Sequence, residues 1–408
     1  MPDQPKLDGI FRMNRRGLIS AVLPCLAYSS IASGEAFPSF REQVLNPDAG
    51  TGLAIAIADI NADGKPDVVG VSSDDVAWYE NPTWDRHLMA DTLKNSNVCV
   101  AAQDLDGDGI PELALGADWQ FANTDSGGAL YLLYHDKDIR QPWKVHPLVP
   151  EEPTLHRIRW ADVEGDGWYE LIVAPLKGIG SKEPNFAETG ARLYVLRPPI
   201  GKFTRGWVEE PITTALHVVH NVIPMRPQGE TRDDLLFASF EGVTKLSRDA
   251  QGKWNATPLV AGNPQPLPNS GAGEIRATFA PVPRMATIEP WHGTQAVVYT
   301  QRGETWERTV IDDALAGGHA VGWADFDGDG EDELMIGFRD KAGPNQRPGL
   351  NVYDAAADGS AWTKHVIDDG GMATEDAAIG DLDGDGRPDI AAFGRATHNI
   401  KIYVNGGG

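Results

Sequence analysis

Short apolar runs with period-two alternation, separated by turn residues, recur along the chain. The first set is Leu53-Ala-Ile-Ala-Ile-Ala, Asp67-Val-Val-Gly-Val, Val76-Ala-Trp-Tyr and His87-Leu-Met. Alternating, β-branched and aromatic runs between Gly, Asp, Asn and Pro predict strands. The four-run unit repeats, and its fourth run often opens on an aromatic residue. Examples are Trp143-Lys-Val-His-Pro-Leu, Trp207-Val-Glu-Glu-Pro-Ile, Trp254-Asn-Ala-Thr-Pro-Leu, Trp306-Glu-Arg-Thr-Val-Ile and Trp362-Thr-Lys-His-Val-Ile. With the His87 run these make six. A seventh copy, Phe40-Arg-Glu-Gln-Val-Leu, precedes the first unit, whereas the last unit runs out after its third strand, Asn399-Ile-Lys-Ile-Tyr-Val. A ring of sheets sealed by its own N-terminal strand leaves only short, protected edges. The pattern therefore predicts an all-β, seven-bladed β-propeller of four-stranded blades, the last closed by the N-terminal strand. Blades begin near residues 52, 97, 155, 216, 273, 318 and 374.

Between the first two strands of five units lies an acidic nonamer. The copies are Asp59-Ile-Asn61-Ala-Asp63-Gly-Lys-Pro-Asp67, Asp104-Leu-Asp106-Gly-Asp108-Gly-Ile-Pro-Glu112 and Asp162-Val-Glu164-Gly-Asp166-Gly-Trp-Tyr-Glu170. The remaining two are Asp325-Phe-Asp327-Gly-Asp329-Gly-Glu-Asp-Glu333 and Asp381-Leu-Asp383-Gly-Asp385-Gly-Arg-Pro-Asp389. Hard cations such as Ca²⁺ take six to eight oxygens, and alternating carboxylates on a glycine-rich turn supply them. Up to five structural Ca²⁺ ions are expected. In the fourth and fifth units Ile223 and Ala280 are expected where the first aspartate would stand, so no cation is expected there.

Composition narrows the partners. The chain has 408 residues, 41% of them hydrophobic, and a net charge of −24. Such charge argues against nucleic acid and anionic membranes, although the nonamers carry 19 of the 59 acids at their ligand positions. Two cysteines, Cys25 and Cys99, provide no disulfide framework. Arg15-Arg16, the apolar stretch Leu18 to Ala32 and small residues at Ala32-Ser33-Gly34 have the order of a secretory signal. Residues 1–34 are thus expected to be a signal peptide, with Met13 an alternative start, and 35–408 a single propeller, periplasmic or extracellular. No later apolar run is long enough for a membrane span.

In a propeller the cation loops share one face, and the starts of the innermost strands share the other with the loops joining second and third strands. Recognition favours loops over the repeats that hold them. Counting back six residues from each first loop position gives one ring: Leu53, Val98, His156, His217, Glu274, His319 and Glu375. His217, Glu274 and His319, from consecutive blades, form a candidate site for Zn²⁺ or another divalent metal. His220, Arg157, Arg159, Arg276 and Asp376 are nearby, and the loops add Trp119, Lys177, Trp291, His292, Arg339, Arg395 and His398. Trp119 and Trp291 are candidates for stacking on a sugar ring. His87, His135, His146 and His365 read as structural.

The repeated D-x-D-x-D-G-x-x-[DE] resembles the FG-GAP/VCBS repeat of calcium-binding propellers. More narrowly, five stretches resemble the propeller of aldos-2-ulose dehydratase and its bacterial relatives: Leu155-His-Arg-Ile-Arg-Trp-Ala-Asp, His217-Val-Val-His-Asn, Glu289-Pro-Trp-His-Gly-Thr-Gln, Gly318-His-Ala-Val-Gly-Trp-Ala-Asp and Gly394-Arg-Ala-Thr-His-Asn-Ile-Lys-Ile-Tyr. That resemblance implies a metal-assisted lyase acting on a keto-sugar, with a histidine base. His156 is the expected base, with His220 the other choice. Arg159 and Lys177 are expected on sugar hydroxyls or the leaving oxygen, and Glu375 as an orienting group or acid. Trp119, Trp291, His292, Arg339, Arg395 and His398 complete the expected substrate contacts. The alternative is a non-catalytic, calcium-stabilised propeller that binds carbohydrate or a protein partner.

Overall fold

A computed structural model describes residues 37–408 apart from 92, 94, 95, 200, 202, 280, 281, 342–346, 357, 358 and 360. The expected signal segment, Cys25 and Ala280 lie outside the described residues. Seven four-stranded antiparallel sheets form the blades of a β-propeller. Their first strands are Gly52–Ala58, Cys99–Gln103, Leu155–Ala161, Asn221–Met225, Glu274–Thr278, Gly318–Ala324 and Thr374–Gly380. A two-stranded ribbon, Asn263–Pro264 with Ser270–Gly271, is inserted between the fourth and fifth blades. Six sheets keep chain order. In the seventh, Phe40–Asn46 pairs with Ile400–Asn405, with Phe40 opposite Asn405 and Val44 opposite Lys401. The N-terminal strand closes the ring, as the surplus fourth-strand run predicts.

Adjacent blades are joined by shared apolar clusters rather than by one central core. Val69, Val71 and Trp78 of the first blade pack with Val100, Leu113, Leu115 and Leu133 of the second. Full burial of a side chain of this kind contributes about 1.5–3 kcal/mol, so each blade-to-blade seam is strongly held. Trp143, which precedes a fourth strand, is buried in that cluster and donates its indole N–H to the Ile139 carbonyl.

Register decides which residues meet at the channel, and it corrects two expectations. In the third blade Ala161 pairs with Glu170, and in the fourth Met225 pairs with Asp234. Counting back from these equivalent rungs sets His220, not His217, level with His156. Residues 216–220 form a turn ahead of the strand, with Val218 at φ 48°. Without a nonamer in that blade, nothing in the sequence marks the offset, and Ile223 is not the counterpart of Asp162; Arg226 is. In the fifth blade Thr278 pairs with Arg284, which sets Gly273 level with His156 and Glu274 one step deeper, level with Arg157.

Candidate functional site

The nonamers are built alike. The first aspartate accepts backbone N–H groups from across its turn: Gly107 and Gly109 donate to Asp104 at 2.7 and 3.0 Å. Gly107 and Gly109 have φ of 80° and 90°, where a side chain would be strained. The ninth residue is buried and tied to the amide of the second, as in Phe326 to Glu333 at 2.7 Å and Leu382 to Asp389 at 2.8 Å. Burial, reinforced by neighbouring aspartates, raises these acids: Asp67 to about 6, Glu112 and Glu170 to about 7 and Glu333 to about 8. Asp325, Asp327, Asp329 and Glu333 offer oxygens all within 4.8 Å of one another, as do Asp104, Asp106 and Asp108, and Asp381, Asp383 and Asp385. Converging acceptors of like charge fit a hard cation. Asp59 and Asp63 of the first loop flank Asn61 in the same turn, closed by Asp67.

The third loop differs. Arg226 reaches Asp162 at 3.4 Å and Asp233 at 2.9 Å, while Arg248 meets Glu164 at 2.6 Å and Arg197 pairs with the same carboxylate. Guanidinium groups thus neutralise Asp162 and Glu164 of this loop, as Arg387 does Asp385 in the fifth, and a cation would have to displace them. His135, read as structural, donates its Nε2–H to Asp108 at 3.0 Å in the second loop.

On the opposite face, a cavity of about 370 Å³ opens at the channel mouth. Leu53 and Val98 make one wall; Trp119, Phe121 and Trp291 make another, with Phe121 and Trp291 stacked at 5.9 Å. Four imidazoles meet here. His156 lies 4.6 Å from His220, His220 lies 4.4 Å from His292 and 5.1 Å from His319, and His292 lies 4.8 Å from His319, between ring centroids. One nitrogen of each of His220, His292 and His319 falls within 4.8 Å of the other two.

Hydrogen bonds orient these rings. His220 Nδ1 faces the Gly273 carbonyl at 3.1 Å and Glu274 at 3.0 Å, so its Nε2 lone pair points to His292 Nε2, 2.5 Å away. His319 Nδ1 is held by the Glu375 carbonyl, which likewise frees Nε2. A carbonyl or carboxylate behind one ring nitrogen is the usual way of aiming the other at a metal. His220 and His319 therefore present Nε2 lone pairs suited to a divalent cation, while His292, whose Nδ1 accepts from Arg339 and whose Nε2 proton points to His220, completes a three-imidazole donor set only when Arg339 releases it. Burial lowers the pKa of all four histidines, with the Arg157 and Arg339 charges adding to it, so the rings are neutral near pH 7. Burial opposes charge on Glu274, but His220 and Arg157 outweigh it and hold the carboxyl at about 2.

Among the described residues, His156 has no hydrogen-bond partner at either ring nitrogen, and neither does the buried indole nitrogen of Trp291. Buried polar atoms are almost always partnered, so these three invite a ligand. His156 is stacked on Trp119 at 5.0 Å. Glu375 is clamped by Arg339 at 2.5 Å and Arg395 at 2.6 Å, and Arg339 also donates to His292 Nδ1 at 3.0 Å.

Several expected site residues stand elsewhere. His217 pairs with Glu241 at 2.8 Å, outside the imidazole group, because of the register offset. Glu274 lies beneath the mouth and backs His220 instead of joining the donor set. Lys177 is spent: its ammonium donates to the Phe121 carbonyl at 2.8 Å between the Phe121 and Phe186 rings, 3.5 and 3.8 Å from their centroids. It shapes the aromatic wall and is not available to sugar hydroxyls. Arg159 lines the channel below the mouth. Both oxygens of Glu375 are occupied by arginines, which suits it to orientation and not to proton donation. His398 is exposed and does not line the cavity. Conversely, His292, expected as a substrate contact, supplies the third imidazole; its place in Glu289-Pro-Trp-His gave no sign of that, since the loop reaches the mouth only after folding.

Comparison with known proteins agrees with this architecture. Residues 127–302 match the aldos-2-ulose dehydratase β-propeller domain, and residues 59–115 match the FG-GAP-like repeat. Aldos-2-ulose dehydratase of Phanerodontia chrysosporium is 25% identical over 290 residues, which cover 65% of this chain and 30% of that protein. The chain thus matches well under half the length of that relative. Among solved structures, BBS1N in complex with ARL6DN, soaked with lead, has a TM-score of 0.56 at 12% identity over 91% of this chain and 97% of that one. The mercury-soaked crystal of the same complex gives 0.53 at 13% identity over 91% and 96%. At such identities these structures speak to the fold alone.

Proposed function

We propose that the chain is an exported carbon–oxygen lyase that performs β-elimination, by dehydration or glycoside cleavage, on a keto-sugar held in the mouth cavity. The observation that carries this reading is His156: a buried, neutral imidazole with both nitrogens unpartnered among the described residues, beside the three-histidine group and walled by tryptophan. A proton next to a sugar ketone is acidic enough for a positioned imidazole to remove. His156 takes that proton, the C–H pair becomes the new C=C bond, and the β-oxygen departs with its bonding pair. His220, the other candidate base, is turned toward Glu274 and His292 and is better suited to holding a cation. A divalent cation such as Zn²⁺ on His220, His292 and His319 would supply Lewis acidity at the carbonyl oxygen. Arg339 and Arg395 face the cavity as donors to hydroxyl or departing oxygen, and Trp119 and Trp291 offer ring faces to the sugar.

The same aromatic walls, with Glu375 neutralised by two arginines, also suit a site that binds carbohydrate without converting it. Incubation with 2-keto and 3-keto sugars, followed by enone absorbance and elemental analysis, separates the two. Enone formation with a transition metal beside calcium supports the lyase. Saturable sugar binding with calcium alone and no enone supports the binding module.

A further inference from the structure

Below the mouth, the channel widens into a second cavity of about 570 Å³ that reaches Tyr169 on the cation-loop side. Its wall is asymmetric. Ala54, Ala56, Gly322 and Ala378, of the first, sixth and seventh blades, leave room on one side, where Asp376 also stands, while Arg157, Arg159 and Arg276, of the third and fifth blades, line the other. Arg157 is paired with Glu274 at 3.3 Å. Arg159 and Arg276 each make a single hydrogen bond, to the carbonyl of the residue before, at 2.8 Å. Among the described residues neither has a carboxylate within ion-pair distance. The oxygens of Asp376 are turned to backbone amides, Ile55 at 3.1 Å and Ala377 at 3.1 Å. Two guanidinium groups thus share a recessed space in which the nearby carboxylate, Asp376, lies beyond ion-pair distance and is engaged by backbone amides, in a chain whose net charge is −24. Charged groups out of bulk water are costly unless paired, and paired guanidiniums present forks that match oxyanions. Burial and the neighbouring Arg276 and Arg157 push Arg159 down to about 10, so it is still charged at neutral pH.

We propose that Arg159 and Arg276 form an oxyanion site inside the channel, separate from the mouth and independent of its assignment. The ligand chemistry is a phosphate, sulfate or carboxylate group, either as a free inorganic ion or as the acidic group of a sugar acid small enough to enter from the cation-loop face. Asp376 marks the limit of the site, since its carboxylate repels an anion placed deeper on its side.

The test is thermal unfolding and calorimetric titration of the full chain at fixed ionic strength, with calcium chloride present and chloride as the reference anion. The probes are inorganic sulfate, inorganic phosphate at concentrations that leave calcium in solution, and galacturonate. Saturable binding and a rise in Tm are expected with at least one probe, with affinity falling about tenfold for each guanidinium removed in R159Q and R276Q. A response to galacturonate alone assigns the organic source; a response to phosphate or sulfate assigns the inorganic one. No response beyond chloride, or an unchanged response in R159Q/R276Q, overturns the site. If that double variant does not fold, selenate soaked into crystals of the unaltered chain decides: anomalous density between the two arginines supports the proposal, and its absence there overturns it.

Discussion

The two ends of the channel are made in opposite ways. On one face each cation loop is a nonamer whose ligands, turn glycines and closing acid are consecutive in sequence, and the unit is copied blade by blade. On the other face the mouth gathers Trp119, His156, His220, Trp291, His292, His319, Arg339, Glu375 and Arg395, one or two from each of several blades. Repetition preserves the first because a local turn folds the same way wherever it is placed. It cannot specify the second, whose value lies in the differences between blades. On the proposed function, stability and chemistry are separated along the axis, and substitutions at the two ends should fail in different ways.

The largest effect should be at the mouth. His156→Ala is expected to lower keto-sugar elimination by about 10²–10⁴-fold, the usual contribution of a general base, with calcium-dependent unfolding unchanged. Equal turnover by the variant would remove His156 from the proposed role. At the other end, Asp389→Ala strips the acceptor of the Leu382 and Asn405 amides in the blade that closes the ring. Two buried donors left unpaired should cost about 2–5 kcal/mol in denaturant unfolding, and calcium should no longer protect that blade. A loss confined to activity would contradict the division between the two faces.

Metal content sharpens the comparison further. His220→Ala or His319→Ala should abolish bound transition metal in elemental analysis, whereas His217→Ala should leave it in place and change stability by no more than about 0.5 kcal/mol, as for ordinary surface positions. Calcium titration should find the third loop weaker than the second and fourth, because Arg226 and Arg248 pair with Asp162 and Glu164; equal affinity there would show that these arginines yield to the ion.

The smallest effect concerns pH. Burial, only partly offset by Glu183, depresses Lys177 from its ordinary value of 10.5 to about 8. Between those values the unfolded chain holds the proton and the folded chain does not, so this lysine makes stability rise as pH rises from about 8 toward 10.5. Lys177→Met should flatten that rise in unfolding experiments, and an unchanged slope would show that the aromatic clamp keeps the ammonium charged throughout.

How much was legible in the sequence follows the same division. Phe40 and the truncated last unit implied ring closure, because a missing strand and a spare one can satisfy only each other. The nonamers were legible because their geometry is contained in nine consecutive residues. His217 and Glu274 were misplaced because the fourth and fifth blades lack the nonamer that sets the count, and a turn at Val218 shifts the strand start by three residues. Lys177 illustrates a different limit: nothing near it in sequence shows that Phe121 and Phe186 will enclose its ammonium.

The sequence by itself determined the repeat, the number of blades, the closing strand and the turn geometry of the acidic nonamers. All of these rest on interactions between residues close in the chain or on a periodicity that sheets must obey. Only the tertiary structure decided that His220, His292 and His319 gather at the mouth, that arginines pair with Asp162 and Glu164 of the third loop, and that Arg159 and Arg276 share the channel beyond ion-pair distance of a carboxylate. Those facts depend on register and on contacts across 117 positions, as between Arg157 and Glu274, or 321, as between Ile55 and Asp376. Local pattern carries no record of such distances; packing alone resolves them.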